Sequence, residues 1–314
     1  MEDKSGSLLT FMTEDGGARL LFADTSSLVG YASGRHKPSR TVTAALGRCL
    51  TAATLMGGTL KDEESNITLR IAGDGPAGSF TCVADGAGRV RGCCENPRVE
   101  LPANAQGKLD VGGVVGHNGD LYVVRDDGFG EPYVGYTRLV SGEIAEDITS
   151  YYALSEQIPT VCALGVRLNE DNSIKGAGGF LLQLMPGAED ALIDELQSRI
   201  GVLPSLSALI AESRTGEDIS GMIFGSIPYR KMGEKRFHYA CSCSRERYRT
   251  AVKSVGIQEL REMRDSGEEA EIICRFCGER YVFSPAELAE MCAEREGELR
   301  KRAAARKKAS GESQ

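Results

Sequence analysis

Hydrophobic residues recur every second position in some stretches of this chain and every third or fourth in others, and these periods divide it into strands and helices. Residues 7–24 place apolar Leu8–Met12 and Leu20–Phe22 on either side of Glu14-Asp-Gly-Gly17, which predicts a hairpin. From Ser39 to Leu60, Val42, Leu46, Leu50, Ala53, Met56 and Leu60 follow helical spacing, and few polar residues interrupt any side. A largely buried helix is expected there. Residues 67–94 alternate as a meander, Ile67–Ile71, Phe80–Val83 and Val90–Cys94, separated by glycine-rich turns. The first turn, Gly73-Asp-Gly-Pro-Ala-Gly78, spells G-x-G-x-x-G. A dinucleotide site needs that motif to open a helix, whereas a strand pattern follows here, so the hairpin reading is favoured.

Leu121–Arg125 and Val134–Leu139 read as further strands. Ser141 is expected to cap a helix carrying Ile144, Ile148, Tyr151, Tyr152 and Ser155 and ending before Pro159. A strand pair follows at Thr160–Leu168 and Lys175–Met185, joined by Asn169-Glu-Asp-Asn172. Strands and helices mix without βαβ alternation, which predicts an α+β fold. After Pro186-Gly187 the pattern turns helical, with Leu192, Ile193, Leu196 and Ile200, then short pieces at Ser205–Ala211 and Asp218–Phe224 broken by Pro204 and Gly216. Helices shorter than about 12–15 residues are marginal alone in water, so this amphipathic linker needs a surface to lie on.

The 314 residues allow two domains, or one domain with an appendage. No apolar run approaches the roughly 18–20 residues of a membrane span. The first residues, Met1-Glu-Asp-Lys-Ser-Gly-Ser, lack the basic-then-apolar layout of a signal peptide, and a cytoplasmic protein is expected. Charge divides the chain unevenly. Residues 1–229 hold 18 basic against 30 acidic side chains, a net of −12, while residues 230–314 hold 19 against 15, a net of +4. The shift supports a boundary near residue 230. The overall charge of −8 argues against nucleic acid as the main partner, although basic residues gather from Lys231 to Arg249 and again from Arg300 to Lys308.

Ten cysteines in a cytosolic chain point to metal or redox chemistry more than to structural disulfides. Cys49, Cys82 and Cys162 lie in apolar segments and are expected to be small buried hydrophobes. Cys93 and Cys94 are adjacent in a strand, so at most one should face the core. The other candidates are Cys241-Ser-Cys243 and Cys274-Arg-Phe-Cys277, a C-x-C and a C-x-x-C separated by 30 residues. That spacing can bring four thiolates around one tetrahedral Zn²⁺, and the same pairs can oxidise to disulfides in any of three connectivities. Arg245, Arg247, Arg275 and Arg280 either favour thiolates or form a solvated face. His238 is a conceivable alternative ligand, whereas His36 and His117 have no ligand pattern. The expected core of this small module is Phe237, Tyr239, Val255, Ile257, Leu260, Ile272, Ile273, Phe276, Tyr281 and Phe283.

Several ordered blocks together resemble the 33-kDa heat-shock protein family of redox-regulated chaperones. They include Gly47-Arg-Cys-Leu-Thr-Ala-Ala53, Gly75-Pro-Ala-Gly-Ser79, Asn96-Pro97, Leu101-Pro102 and Ser141-Gly-Glu-Ile-Ala-Glu-Asp-Ile148. Tyr151-Tyr-Ala-Leu-Ser-Glu-Gln157, Gly178-Gly-Phe-Leu-Leu-Gln-Leu-Met-Pro-Gly187 and the four cysteines complete the set, and the likeness spans about residues 6–290. The resemblance implies a three-layer α+β body of β-sheets around a buried helix (1–185), a metastable helical linker (186–235) and a four-cysteine zinc module (236–290). It leaves Cys292 and a basic tail (291–314) without a family role. It further implies an ATP-independent holdase rather than an enzyme, with one Zn²⁺ per chain when reduced. Oxidants such as peroxide or hypochlorite, often with unfolding heat, would pair Cys241 with Cys243 and Cys274 with Cys277. The active form would be a homodimer binding unfolded clients, with no nucleotide and no membrane involved.

Other classes make competing expectations. A structural zinc ribbon that binds nucleic acid would keep its metal and bind in a salt-sensitive way. A hydrolase lacks G-x-S-x-G and a histidine near the Ser155-Glu156 pair. A thiol oxidoreductase would set Cys274–Cys277 in a βαβ context, which the pattern does not provide.

Overall fold

The computed structural model describes residues 3–311, with side chains to residue 303. Contacts divide the chain into two compact units, residues 1–241 and 242–314.

The first unit runs β1 (Ser5–Thr13), β2 (Ala18–Asp24), α1 (Ser26–His36), α2 (Arg40–Gly57), β3 (Asn66–Gly73), β4 (Phe80–Asp85) and β5 (Arg89–Cys94). It continues with α3 (Val111–Val115), β6 (Gly119–Asp126), β7 (Tyr133–Arg138), α4 (Ala145–Tyr151) and a π-helical turn at Tyr152–Glu156. β8 (Thr160–Leu168), β9 (Ile174–Leu184), α5 (Asp190–Gly201), α6 (Leu206–Ala211), α7 (Gly216–Phe224) and β10 (Tyr229–Tyr239) complete it. The mixed helix and strand content is as expected. All ten strands join one sheet in the order β7-β6-β3-β4-β5-β10-β1-β2-β9-β8.

α2 is the buried helix that the sequence predicts. Ser39 caps it by accepting from Val42 N–H at 3.2 Å, and nearly every residue from Thr41 to Gly57 is buried. It packs against strands on both sides of β10, from β3, β4 and β5 to β2, β8 and β9. Because successive strand residues face opposite ways, β1, β2 and β9 serve two cores. Leu8, Leu21 and Leu181 pack on the α2 side, while Leu9, Phe11, Leu20, Phe22, Phe180 and Leu182 face a second cluster. There α5, α6 and α7 supply Leu196, Leu209, Ile219, Ile223 and Phe224. The three short helices thus have the apolar surface their lengths require.

The G-x-G-x-x-G segment is the β3–β4 turn, as the hairpin reading expects. Its glycines permit backbone to approach backbone: Gly75 N–H donates to the Val115 carbonyl at 3.0 Å, and Ala77 N–H to Val114 at 3.2 Å. A Cβ on Gly73 would lie 2.2 Å from the Val115 carbonyl oxygen. Gly73→Ala is therefore expected to cost about 1–3 kcal/mol, read as a lower midpoint in urea unfolding.

Ser141 does not start the next helix. Ile144, in a left-handed conformation at φ 66°, precedes α4, and the buried Asp147 carboxylate takes over the capping. Its Oδ1 accepts from Val140 N–H at 2.7 Å and Ser141 N–H at 3.2 Å, and its Oδ2 from Ile144 N–H at 3.0 Å. The Ser141 hydroxyl accepts from Glu143 N–H at 3.3 Å, ahead of the helix.

Residues 229–235, read from sequence as the end of a helical linker, form a strand that continues to Tyr239. β10 pairs antiparallel with β1 along its length and parallel with β5 at His238 and Tyr239. Phe237 and Tyr239 consequently belong to the α2-side core and not to the cysteine module.

The second unit comprises α8 (Arg245–Ser254), α9 (Ile257–Asp265), the hairpin β11 (Ala270–Ile273) and β12 (Arg280–Phe283), and α10 (Pro285–Gly311). Its core is Val252, Leu260, Phe283, Leu288, Met291 and Cys292, with Val255, Ile257, Ile272 and Tyr281 packed against it. Ile273, expected in that core, is 54% exposed because it points to the opposite side of its strand from Ile272. The stretch read as a tail continues α10 as far as residue 311, and Cys292 is a packed core residue; residues 312–314 lie outside the described residues. Among the described residues no helix is long and apolar enough to cross a membrane.

Candidate metal centre

Cys241 and Cys243 occupy the loop between β10 and α8. Ser244 caps α8 by accepting from Arg247 N–H at 3.2 Å, and the Arg247 guanidinium donates to the Ser242 carbonyl and hydroxyl, both at 2.7 Å. Cys274 and Cys277 form the β11–β12 turn. Cys274 N–H donates to the Glu279 carbonyl at 2.9 Å, and Gly278 N–H donates to the Cys274 carbonyl at 2.8 Å. Gly278 closes the turn at φ +70°, a conformation available to glycine without steric cost.

These two short segments bring all four sulfurs within 4.8 Å of one another, with Cys243 and Cys277 at 3.3 Å. Four sulfurs at about 2.3 Å from a central ion would be spaced about 3.8 Å apart, so the donor set fits a tetrahedral, thiolate-preferring metal. Cys274 is buried and the other three are half-buried. The Tyr281 hydroxyl donates to Cys243 Sγ at 3.1 Å, and its ring packs on Tyr248 with centroids 4.8 Å apart. That bond, with some desolvation, raises the Tyr281 pKa above its ordinary value, so the phenol stays a donor at neutral pH. Sequence reading placed Tyr281 in the core and missed this role, since nothing in the spacing links it to Cys243. Tyr281→Phe keeps the ring but removes the donor. It is expected to weaken metal binding about 10–100-fold in a chelator competition, with the second unit still folded.

The nearby arginines mostly face carboxylates. Arg245 pairs with Glu287 at 2.7 Å and lies over the Phe283 ring, and Arg280 pairs with Glu271. Arg249 and Lys253 both reach Glu294, at 2.5 and 2.8 Å, and together they pull its pKa down to about 2, Arg249 contributing first. Arg275 is exposed.

His238 lies in β10, outside the four-residue metal group. His36 Nε2 is 3.1 Å from the Tyr239 hydroxyl, and His117 Nδ1 is 2.8 Å from the Ser141 carbonyl. Cys49, Cys82 and Cys162 are buried, as expected. Burial raises the Cys82 and Cys162 thiols and pushes Cys94 up to about 12, which keeps them protonated and poorly reactive.

A ten-stranded sheet packed on a buried helix, followed by a small unit with four convergent sulfurs, defines a two-unit mixed α/β protein with a cysteine group positioned to hold a metal ion. The family model described as Hsp33 protein matches residues 6–284. Proteins named 33 kDa chaperonin are similar along nearly the whole chain. That of Clostridium acetobutylicum is 42% identical over 292 residues, 93% of this chain and 97% of its own. That of Acetivibrio thermocellus is 46% identical over 275 residues, 88% of this chain and 93% of its own. The crystal structure of the 33 kDa chaperonin (heat shock protein 33 homolog) from Thermotoga maritima aligns with a TM-score of 0.84 at 35% identity, covering 94% of this chain and 99% of that one. The chain belongs to the Hsp33 family of chaperones.

Proposed function

We propose that the protein is an ATP-independent holdase gated by the oxidation state of Cys241, Cys243, Cys274 and Cys277. The observation that carries this reading is the convergence of those sulfurs within 4.8 Å in a chain of the Hsp33 family. Zn²⁺, one per chain, suits the donor set; when bound it keeps the sulfurs deprotonated and ties the fold of a small unit to them.

Peroxide oxidises one thiolate to a sulfenic acid and releases hydroxide. A neighbouring thiolate then attacks that sulfur, forming the S–S bond and releasing a second hydroxide, so two thiolates lose two electrons to one peroxide. The pairing is the one that the family resemblance implies, Cys241 with Cys243 and Cys274 with Cys277. With both pairs oxidised no thiolate remains to hold an ion, and the second unit unfolds.

Helices α5–α7 and β10, which lie between the body and that unit in sequence, then lose their anchored C-terminal end. Their release uncovers Phe11, Phe22 and Phe180 on the sheet and Leu196, Ile219 and Phe224 on the helices, all buried in the reduced fold. A surface of that kind binds unfolded clients without sequence specificity and can join two chains into a homodimer. The net charge of −12 over residues 1–229 helps keep such complexes soluble. No nucleotide is needed: the sequence has no G-x-x-x-x-G-K-[S/T]. The cytoplasm, which keeps thiols reduced until stress, is the compartment where such a gate has use. Binding of nucleic acid by the second unit is disfavoured because Arg245, Arg249, Lys253 and Arg261 already face glutamates.

The test compares aggregation of a heat-unfolded client with reduced, metal-loaded protein and with peroxide-treated protein, while metal release is followed. Suppression only after oxidation, in step with metal release, is expected. Equal suppression in both states would overturn the reading.

A further inference from the structure

Two adjoining cavities lie where residues 157–161, the end of β9 and α5 come together. The larger has a volume of about 620 Å³ and the smaller about 270 Å³, and Pro159, Leu184 and Ile193 line both. Among the described residues no aromatic ring lines either one, and the walls are largely aliphatic, from Ile158 and Met185 at one end to Leu196 and Ile200 at the other. Among the described residues, Arg19 is the one charged side chain that lines them. Its Nη2 donates to Gln183 Oε1 at 2.6 Å, but its Nε is buried with no hydrogen-bond partner, and no carboxylate among the described residues forms an ion pair with it. A desolvated guanidinium nitrogen left without an acceptor is costly. Aliphatic walls with a few polar groups at one end are the usual build of a small-molecule site.

We propose that these cavities bind a medium-chain fatty acid. Its carboxylate accepts from the Arg19 guanidinium where it lines the larger cavity, and its chain runs past Leu184 and Ile193 into the smaller cavity. The charge calls for a monoanion, because one guanidinium with no lysine beside it is poorly matched to a doubly charged phosphate head. Walls without aromatic rings favour a saturated chain over a ring-bearing ligand. The site also bridges two elements: Leu182 and Leu184 belong to β9, and Ile193, Leu196 and Ile200 to α5. A ligand held by both stabilises the docked helix by linkage. Resting on the holdase reading above, fatty acid then raises the oxidant dose needed for client binding.

The test titrates dodecanoate, below its micelle-forming concentration, into the reduced full-length protein by calorimetry. Saturable binding at one per chain is expected, weakened at least tenfold in Arg19→Met, while dodecanol binds both proteins weakly and alike. Ile193→Trp, which fills the shared wall and keeps the charge, should abolish binding, with thermal melting confirming that both variants fold. Dodecanoate binding that does not saturate, or that is unchanged in Arg19→Met, would overturn the site. If dodecanoate binds as described but leaves the peroxide dose for client suppression unchanged, the coupling to α5 is wrong. If peroxide never elicits suppression, only the holdase reading falls.

Discussion

Replacing Cys274 with serine will leave residues 242–303 unfolded at 25 °C and remove the response to peroxide. Cys274 is the most buried of the four ligand candidates, at 3% exposure, and its backbone closes the β11–β12 turn through both its N–H and its carbonyl. A hydroxyl is a poor substitute for a thiolate on a soft-leaning metal, and a four-thiolate site contributes about 10–16 kcal/mol to the fold that it organises. The rest of the unit cannot make up that loss. Among the described residues its hydrophobic core holds six buried side chains, and units below about 70–80 residues rarely hold together on a core alone. The ion pairs of α8 with α10 are solvent-exposed and contribute little. Hydrogen exchange read by mass spectrometry should show α8, α9 and α10 unprotected and β1–β9 still protected, with metal content near zero. The variant should suppress client aggregation to the same extent with or without peroxide. Full protection of α8 in a metal-free variant would mean that the sulfurs do not latch this unit.

The second large effect is expected from Phe224→Ala, which should give client binding in the reduced, metal-loaded state. Phe224 ends α7, is fully buried and stacks on Tyr229 with ring centroids 4.7 Å apart. Truncating a buried phenylalanine costs about 3–5 kcal/mol, and here the loss falls on the contact between α5–α7 and the sheet. Three helices of 12, 6 and 9 residues have little stability of their own to offset it. The variant should bind a hydrophobic dye and hold an unfolded client without oxidant, while its metal content stays at the wild-type level. If suppression still requires peroxide, the client surface lies elsewhere than beneath these helices.

These two effects also mark how far the sequence could be read. The period-two runs of β1, β2, β3, β4, β5, β8 and β9 and the helical run of α2 are local patterns, and they gave their elements to within a few residues. The four cysteines were legible for a different reason: thiolates at C-x-C and C-x-x-C spacing have few chemical uses, and the folded chain brings their sulfurs together. β10 was not legible. Arg230-Lys-Met-Gly-Glu-Lys-Arg236 has no apolar alternation and is largely exposed, and it is a strand because β1 offers it an open edge, with a bulge at Thr10/Phe11. α1 was missed because Gly30 and Gly34 weaken its helical signal, and α10 because its buried positions, Leu288, Met291 and Cys292, pack on Val252 and Leu260 of other helices.

The mixed helix and strand content, the buried helix, the family and the grouping of four cysteines were thus determined by the sequence alone, because each depends on residue type at short spacing. The tertiary structure alone decided that Phe237 and Tyr239 serve the main core, that Asp147 rather than Ser141 caps α4, that Tyr281 supports Cys243, and that Arg19 stands beside an aliphatic cavity without a counter-ion among the described residues. Each of those depends on partners brought together by chain closure across tens to hundreds of residues, and no periodicity along the chain encodes which distant groups will meet.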